Sequence, residues 1–366
     1  IVLALIAACV LLSGCQGKQD GNVIKIACNL PMTGDCAIYG ESVKNGYEMA
    51  LKDLKDSLLS NGFSIKVEYQ DNQCVNRNAI SIAQNQLLRG FDIYVSGITQ
   101  QTFAVEGMVE QTGAPHFIWS FYPLVIPNNN MFRTWVNLPA EPHLFKQLLS
   151  SDSDAKKVAC VYLNAASGID LFNKLFIPMI DTQYEIVYNE PFEIDRTDFK
   201  SIAIKIKESK PDYVFVNGFQ NHIIQLAKEF NTLQMKKSSK VVFTFDLIDA
   251  MDDVESAVLE GYIANIPDYV IQSSNYKKDW TRRYIDLYNR EPNYTDAYAY
   301  DCMNIIYQAI KESRENDKQK DLMYYIQNIN MNGLTGALSF SENGNLNSKS
   351  TICVVRSGSL VPLELD

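Results

Sequence analysis

The chain has 366 residues, 46% hydrophobic and 21% charged, which is the balance of a globular protein and a length that suits two domains better than one core. Its net charge of −10, with Lys and Arg scattered and no basic stripe, argues against nucleic acid as a partner. His116, His143 and His222 lie far apart without metal-ligand spacing, so neither a metal nor another cofactor is expected.

Ile1 to Leu12 is an uninterrupted apolar run that ends in Ser13-Gly14-Cys15. A bilayer span needs ~20 apolar residues, so this run suits the core of a signal peptide instead. Leu12-Ser13-Gly14-Cys15 resembles the lipobox of bacterial lipoproteins. That resemblance implies a signal peptide over residues 1–14, cleavage before Cys15 and lipidation of its thiol. Gln16 to Asn22 is polar or Gly throughout and reads as a tether, making 15–22 a lipidated linker. The expected location is extracytoplasmic, with attachment to a bacterial membrane through the lipid alone.

Of the eight cysteines, Cys9 leaves with the signal peptide and Cys15 takes lipid. Cys28, Cys160 and Cys353 sit in apolar, strand-like runs and read as small buried hydrophobes. Cys36 and Cys74 sit in polar loops after two strands expected to be neighbours, which makes them the disulfide candidates of an exported protein.

Val23 to Leu30 alternates apolar Ile24, Ile26, Cys28 and Leu30 with more polar neighbours and stops at Pro31, as a strand entering a loop does. From Val43, positions Gly46, Tyr47, Ala50, Leu51 and Leu54 form one helical face that ends near Asn61-Gly62. Strands near Ser64 to Tyr69, Phe91 to Val95 and His116 to Trp119 follow, with helices at Asn78 to Leu88 and Thr102 to Gln111. Such alternation predicts a parallel sheet covered on both faces. Met131 to Pro142 breaks the periodicity and suits a crossover. A second series then runs through strands at Lys156 to Leu163, Glu185 to Tyr188, Tyr213 to Val216 and Val241 to Phe245, followed by a helix near Ile248 to Leu259. Beyond Tyr262 to Ile266 come helices at Asp279 to Asn289 and Asp296 to Lys311, and a final strand at Thr351 to Val355. Two α/β domains facing each other are expected.

Leu30-Pro31-Met32-Thr33-Gly34, Tyr39-Gly40, Asn45-Gly46, Asp71-Asn72 with Cys74, Gly113-Ala114-Pro115, Phe132-Arg133-Thr134, Pro211-Asp212, Tyr300-Asp301 and Gly333-Leu334-Thr335-Gly336 occur in an ordered series. The series resembles the Leu/Ile/Val-binding-protein-like solute-binding proteins of ABC transporters, over nearly the whole chain after residue 22. The resemblance implies two doubly wound parallel-sheet lobes joined by three crossovers, the type I periplasmic binding protein fold. The lobes expected are 23–137 plus 267–338, and 138–266 plus 339–366.

In open parallel sheets ligands sit beyond the carboxyl ends of strands, where helix N-termini favour anions. Ser96-Gly97-Ile98-Thr99-Gln100 occupies such a place; the resemblance assigns Thr99 to a ligand carboxylate, and Gln100 is a further candidate contact. The aromatic segment Trp119-Ser120-Phe121-Tyr122-Pro123 matches a position that supplies further contacts, and Tyr39 matches an aromatic cleft rim. On the second lobe, Phe243-Thr244-Phe245-Asp246 resembles the strand end that presents an acid to the ligand ammonium, and Gly218-Phe219-Gln220 offers Phe219 and Gln220. Ser167-Gly168 stands where relatives carry Tyr-Gly, so Ser167 replaces a ring that covers the ligand and branched-chain specificity is weakened.

No Gly-x-Ser-x-Gly elbow, P-loop or metal-binding His/Cys cluster is present, so no catalysis is expected. The expectation is a lipid-anchored solute-binding protein that takes an amino acid or related amine-carboxylate and delivers it to an ABC permease. The alternative is a ligand-sensing lipoprotein of the same fold that signals to a receptor or regulator.

Overall fold

The computed structural model describes residues 22–34, 36–121, 130–251, 253–316 and 319–365. The expected signal peptide, Cys15, the tether up to Gly21, and Tyr122 and Pro123 lie outside the described residues. No helix among the described residues is long and apolar enough to cross a membrane.

Strands β1 (Val23–Leu30), β2 (Ser64–Asp71), β3 (Ile93–Gly97), β4 (His116–Trp119) and β5 (Met131–Arg133) form the first sheet, in the order β2-β1-β3-β4-β5 and parallel throughout. Every residue of β3 and β4 is buried, as expected of central strands with helices on both faces. The second sheet contains β6 (Lys157–Leu163), β7 (Glu185–Phe192), β8 (Tyr213–Val216), β9 (Lys240–Phe243) and β10 (Ile263–Pro267), which pair in parallel. A short hairpin, β11 (Met331–Gly333) with β12 (Gly336–Leu338), stands apart. The second sheet is completed by β13 (Ser350–Arg356) and β14 (Ser359–Pro362), giving the order β14-β13-β10-β9-β8-β6-β7. These last two strands run antiparallel, so this sheet departs from the all-parallel expectation at one edge.

The helices that shape the space between the sheets are α1 (Ala37–Asp53), α2 (Thr99–Glu110), α3 (Glu141–Ser150), α4 (Gln220–Thr232), α5 (Leu247–Met251), α6 (Asn275–Tyr288) and α7 (Tyr294–Glu315). The helix expected from Ile248 to Leu259 is two short ones, Leu247–Met251 and Ser256–Leu259, the second starting after Glu255, whose ψ of 134° is not helical. Packing of α7 on α1 fixes the long return of the chain to the first lobe. A Cβ on Gly46 would lie 2.5 Å from the Ala299 Cβ, so only glycine allows the two helices to come this close.

The start of α7 is capped by Asn293, whose side chain accepts from the Asp296 N–H at 3.1 Å, while Asp296 accepts from the Asn293 N–H at 2.8 Å. Buried Asp296 also pairs with Arg290 at 2.7 Å and accepts from the Tyr284 hydroxyl of α6. These bonds hold the segment from Glu291 to Thr295 in one place.

Three passages connect the sheets: residues 134–140, 268–274 and 339–349. The first and third run side by side, tied by Arg133 Nη1 donating to Asn345 Oδ1 at 2.8 Å and by Leu346 N–H donating to the Arg133 carbonyl at 2.9 Å. Asp268 N–H donates to the Lys349 carbonyl at 3.0 Å, so the second passage joins them. Cys36 and Cys74 form a disulfide with Cα atoms 6.1 Å apart, while Cys28, Cys160, Cys302 and Cys353 are buried free thiols.

Candidate ligand-binding site

A cavity of about 710 Å³ opens between the two lobes. The first lobe contributes Ile38 and Tyr39 from the first turn of α1 and Glu291 to Thr295 at the start of α7. The second contributes Phe219 and Gln220 at the start of α4, and Asp246, Asp249 and Asp253 in and around α5. Tyr269 and Lys277 close one side from the second crossover and α6.

Asp246 follows the carboxyl end of β9 and is only 8% exposed. Its Oδ2 accepts from Thr244 Oγ1 at 2.6 Å, and no ion pair reaches it among the described residues. Burial raises its pKa to about 7; the Thr244 bond opposes the shift and the charge of Asp249 adds to it. Behind it lies Glu141 of α3, 3% exposed, whose Oε1 accepts from the Phe245 N–H at 3.1 Å and whose Oε2 has no partner. Burial pushes this carboxyl well up as well, with Asp246 adding to the effect. Tyr294 donates to Asp249 Oδ2 at 3.5 Å. Burial and then the nearby Asp249 and Asp246 hold the Tyr39 hydroxyl above its ordinary range.

An aromatic cluster crosses from lobe to lobe beside the cavity. Phe121 stacks on Trp135 at 4.1 Å and lies 5.2 Å from Phe245 of the second lobe. Trp135 also meets the edge of Tyr39 at 5.7 Å and donates from Nε1 to Thr295 Oγ1 at 3.1 Å.

Tyr39, Phe219, Gln220 and Asp246 therefore line one cavity from its two sides. Thr99, Gln100, Ser120 and Ser167 do not line it. Thr99 opens α2 and accepts from Ser120 Oγ at 3.1 Å, so these two hydroxyls bond to each other past the carboxyl ends of β3 and β4. Gln100 is exposed and Ser167 lies half-buried on the short helix Ala166–Ile169. Trp119 is a correction to the expectation of a cleft residue: it is 1% exposed and packs in the core with Tyr47 and Trp135, both at 6.3 Å. Gly97 on the adjacent strand makes that room, since a Cβ there would come within 3.1 Å of Trp119. Gln220 is spent within its own lobe, donating to the Asp249 carbonyl at 2.5 Å and to the Asp253 carboxylate.

Asp249, Glu141, Glu291 and Tyr294 escaped the sequence reading. Asp249 stands three residues after Asp246 on a helix, a spacing that could have flagged it. Tyr294 follows Pro292-Asn293, a helix-start signal with no hint of what it faces. No group of three or more His, Cys, Asp or Glu among the described residues is arranged to hold a metal ion.

Residues 23–359 match the family described as periplasmic binding protein. The chain belongs to that family. Its members are solute binders and not enzymes. The chain is 20% identical over 332 residues to the Leu/Ile/Val-binding protein homolog 1 of Brucella abortus, covering 88% of this chain and 87% of that one. A branched-chain amino acid transporter substrate-binding protein of Streptococcus pneumoniae, solved with isoleucine, superposes with a TM-score of 0.72 at 21% identity over 92% of this chain and 97% of its own. A solute-binding protein of an ABC transporter from R. palustris, solved with benzoate, gives 0.77 at 16% identity over 94% and 96%. These likenesses establish the type I periplasmic binding protein fold, with two parallel-sheet lobes.

Proposed function

We propose that this periplasmic binding protein is the lipid-anchored, extracytoplasmic solute receptor of an ABC importer, and that it takes an amino acid or related small amine-carboxylate between its lobes. The observation that carries the reading is Asp246, a buried carboxylate facing the cavity without a cation of its own. A desolvated ammonium needs such an ionised acceptor. In this reading the lobes divide near residues 137, 266 and 338, and Cys15 carries the lipid. Relatives named for branched-chain amino acids support the amino-acid class. The benzoate complex of a neighbour suggests an aromatic acid instead, but the carboxylates on this cavity wall would repel one.

A thermal-shift screen against amino acids and small organic acids tests the proposal. A true ligand at 100 times its Kd adds ~2.7 kcal/mol of stability. Stabilisation confined to compounds without an amino group would overturn it. Delivery to a permease is tested separately, by co-purification of the loaded protein with the products of adjacent transporter genes.

A further inference from the structure

We infer that the solute carries two cationic nitrogens, as a basic amino acid or an aliphatic diamine does. The inference rests on the reading of the interlobe cavity as the solute site. Among the described residues its wall carries four carboxylates, Asp246, Asp249, Asp253 and Glu291, and one ammonium, Lys277.

Lys277 offsets at most one of these four charges, and its Nζ is held at the backbone. It donates to the carbonyls of Tyr269, of Val270 at 3.3 Å and of Gln272 at 3.1 Å, and it lies 4.1 Å from the centre of the Tyr269 ring. Asp253 receives an uncharged partner, the Gln220 amide. Independently of the wall, the interior behind it is acidic. Glu141 is more than nine-tenths buried beside Asp246 and keeps one carboxylate oxygen without a partner. One amine at Asp246 would leave further negative charge on both sides of the cavity, Glu291 on the first-lobe side and Asp253 beside Asp249 on the second. A second amine between those sides attracts the acids of both and reduces the like-charge repulsion that opposes closure. The rings of Tyr39, Tyr294 and Phe219 around the same cavity suit a chain of methylenes ending in ammonium groups. Burial and neighbouring acids hold Asp246 and Glu141 toward their neutral forms, a balance that an arriving cation would reverse.

Calorimetry on the wild-type protein with L-lysine, 1,4-diaminobutane, L-leucine and benzoate tests the inference. The expected result is a dication bound at least about tenfold tighter than leucine, a difference of ~1.4 kcal/mol. Asp249→Asn should weaken the dication about tenfold and by more than it weakens leucine, and Glu291→Gln, at an exposed site that leaves the core untouched, should weaken the dication about threefold. Lysine bound far tighter than the diamine supports both this inference and the amine-carboxylate reading. Equal affinity for the two supports the inference and overturns the carboxylate half of that reading. Leucine bound as tightly as either dication, or no response to the dications, overturns the inference alone. Binding of benzoate only overturns both.

Discussion

Asp246 shows how one carboxylate can couple folding to ligand capture. Burial lifts its pKa to about 7, so between the ordinary carboxylate range and neutrality the folded protein holds a proton that the unfolded chain has lost. The native state then binds more protons than the unfolded state, and stability falls as pH rises across that interval. Glu141, also lifted, acts in the same direction. The ligand-free protein should therefore lose on the order of a few kcal/mol between pH 4 and about 7, and Asp246→Asn should flatten that slope. Urea unfolding at stepped pH measures both. A cationic ligand needs the ionised form, so its affinity should run the opposite way, rising as pH passes about 7. Truncating one member of a buried charged pair costs ~2–5 kcal/mol, so Asp246→Ala should weaken binding of an amine ligand at least about thirtyfold without unfolding the protein. Unchanged affinity by calorimetry would remove Asp246 from the site.

At the scale of elements, the disulfide joins the loop after β1 to the loop after β2 and so fixes where α1 begins. Cys36 stands three residues before Tyr39, which makes the bridge a positioning device for the cavity rim as well as a constraint on the unfolded chain. The Cys36→Ser, Cys74→Ser double variant should lose about 2–4 kcal/mol of stability, read from the urea midpoint, and should weaken the ligand modestly through Tyr39. A double variant with an unchanged midpoint would show that the bridge constrains nothing. Elements of this kind were legible in the sequence because strand runs, turn residues and helix faces are local signals. Asp246 was legible for the same reason, coming three residues after the last residue of β9. Glu291 and Tyr294 were not. Their place at the cavity depends on α7 packing against Gly46, a contact between helices some 250 residues apart that no local pattern encodes. The direction of β13 was equally silent, since an apolar run buries the same residues whether it pairs parallel or antiparallel.

On the scale of the whole molecule, two lobes joined by three adjacent crossovers can change their separation with little disturbance of either core, and a ligand favours the closed form only through contacts it gains there. The chain carries a reporter at that joint. Trp135 follows β5 at the start of the first crossover, stacked on Phe121, edge-on to Tyr39 and bonded to Thr295, and Phe121 in turn meets Phe245 next to Asp246. Any movement of the second lobe against the first shifts Phe245 relative to this cluster. Trp280, by contrast, is buried against Tyr284 and Tyr300 in the helical layer of the first lobe, away from the interlobe contact. Ligand addition should therefore change the intrinsic tryptophan emission, and Trp135→Phe should remove most of that change while Trp280→Phe keeps it. Small-angle scattering on the same samples should show the radius of gyration falling on binding. A full emission change in Trp135→Phe would mean that the cluster does not sense closure, and binding with no fall in radius would mean that the ligand is held by one lobe.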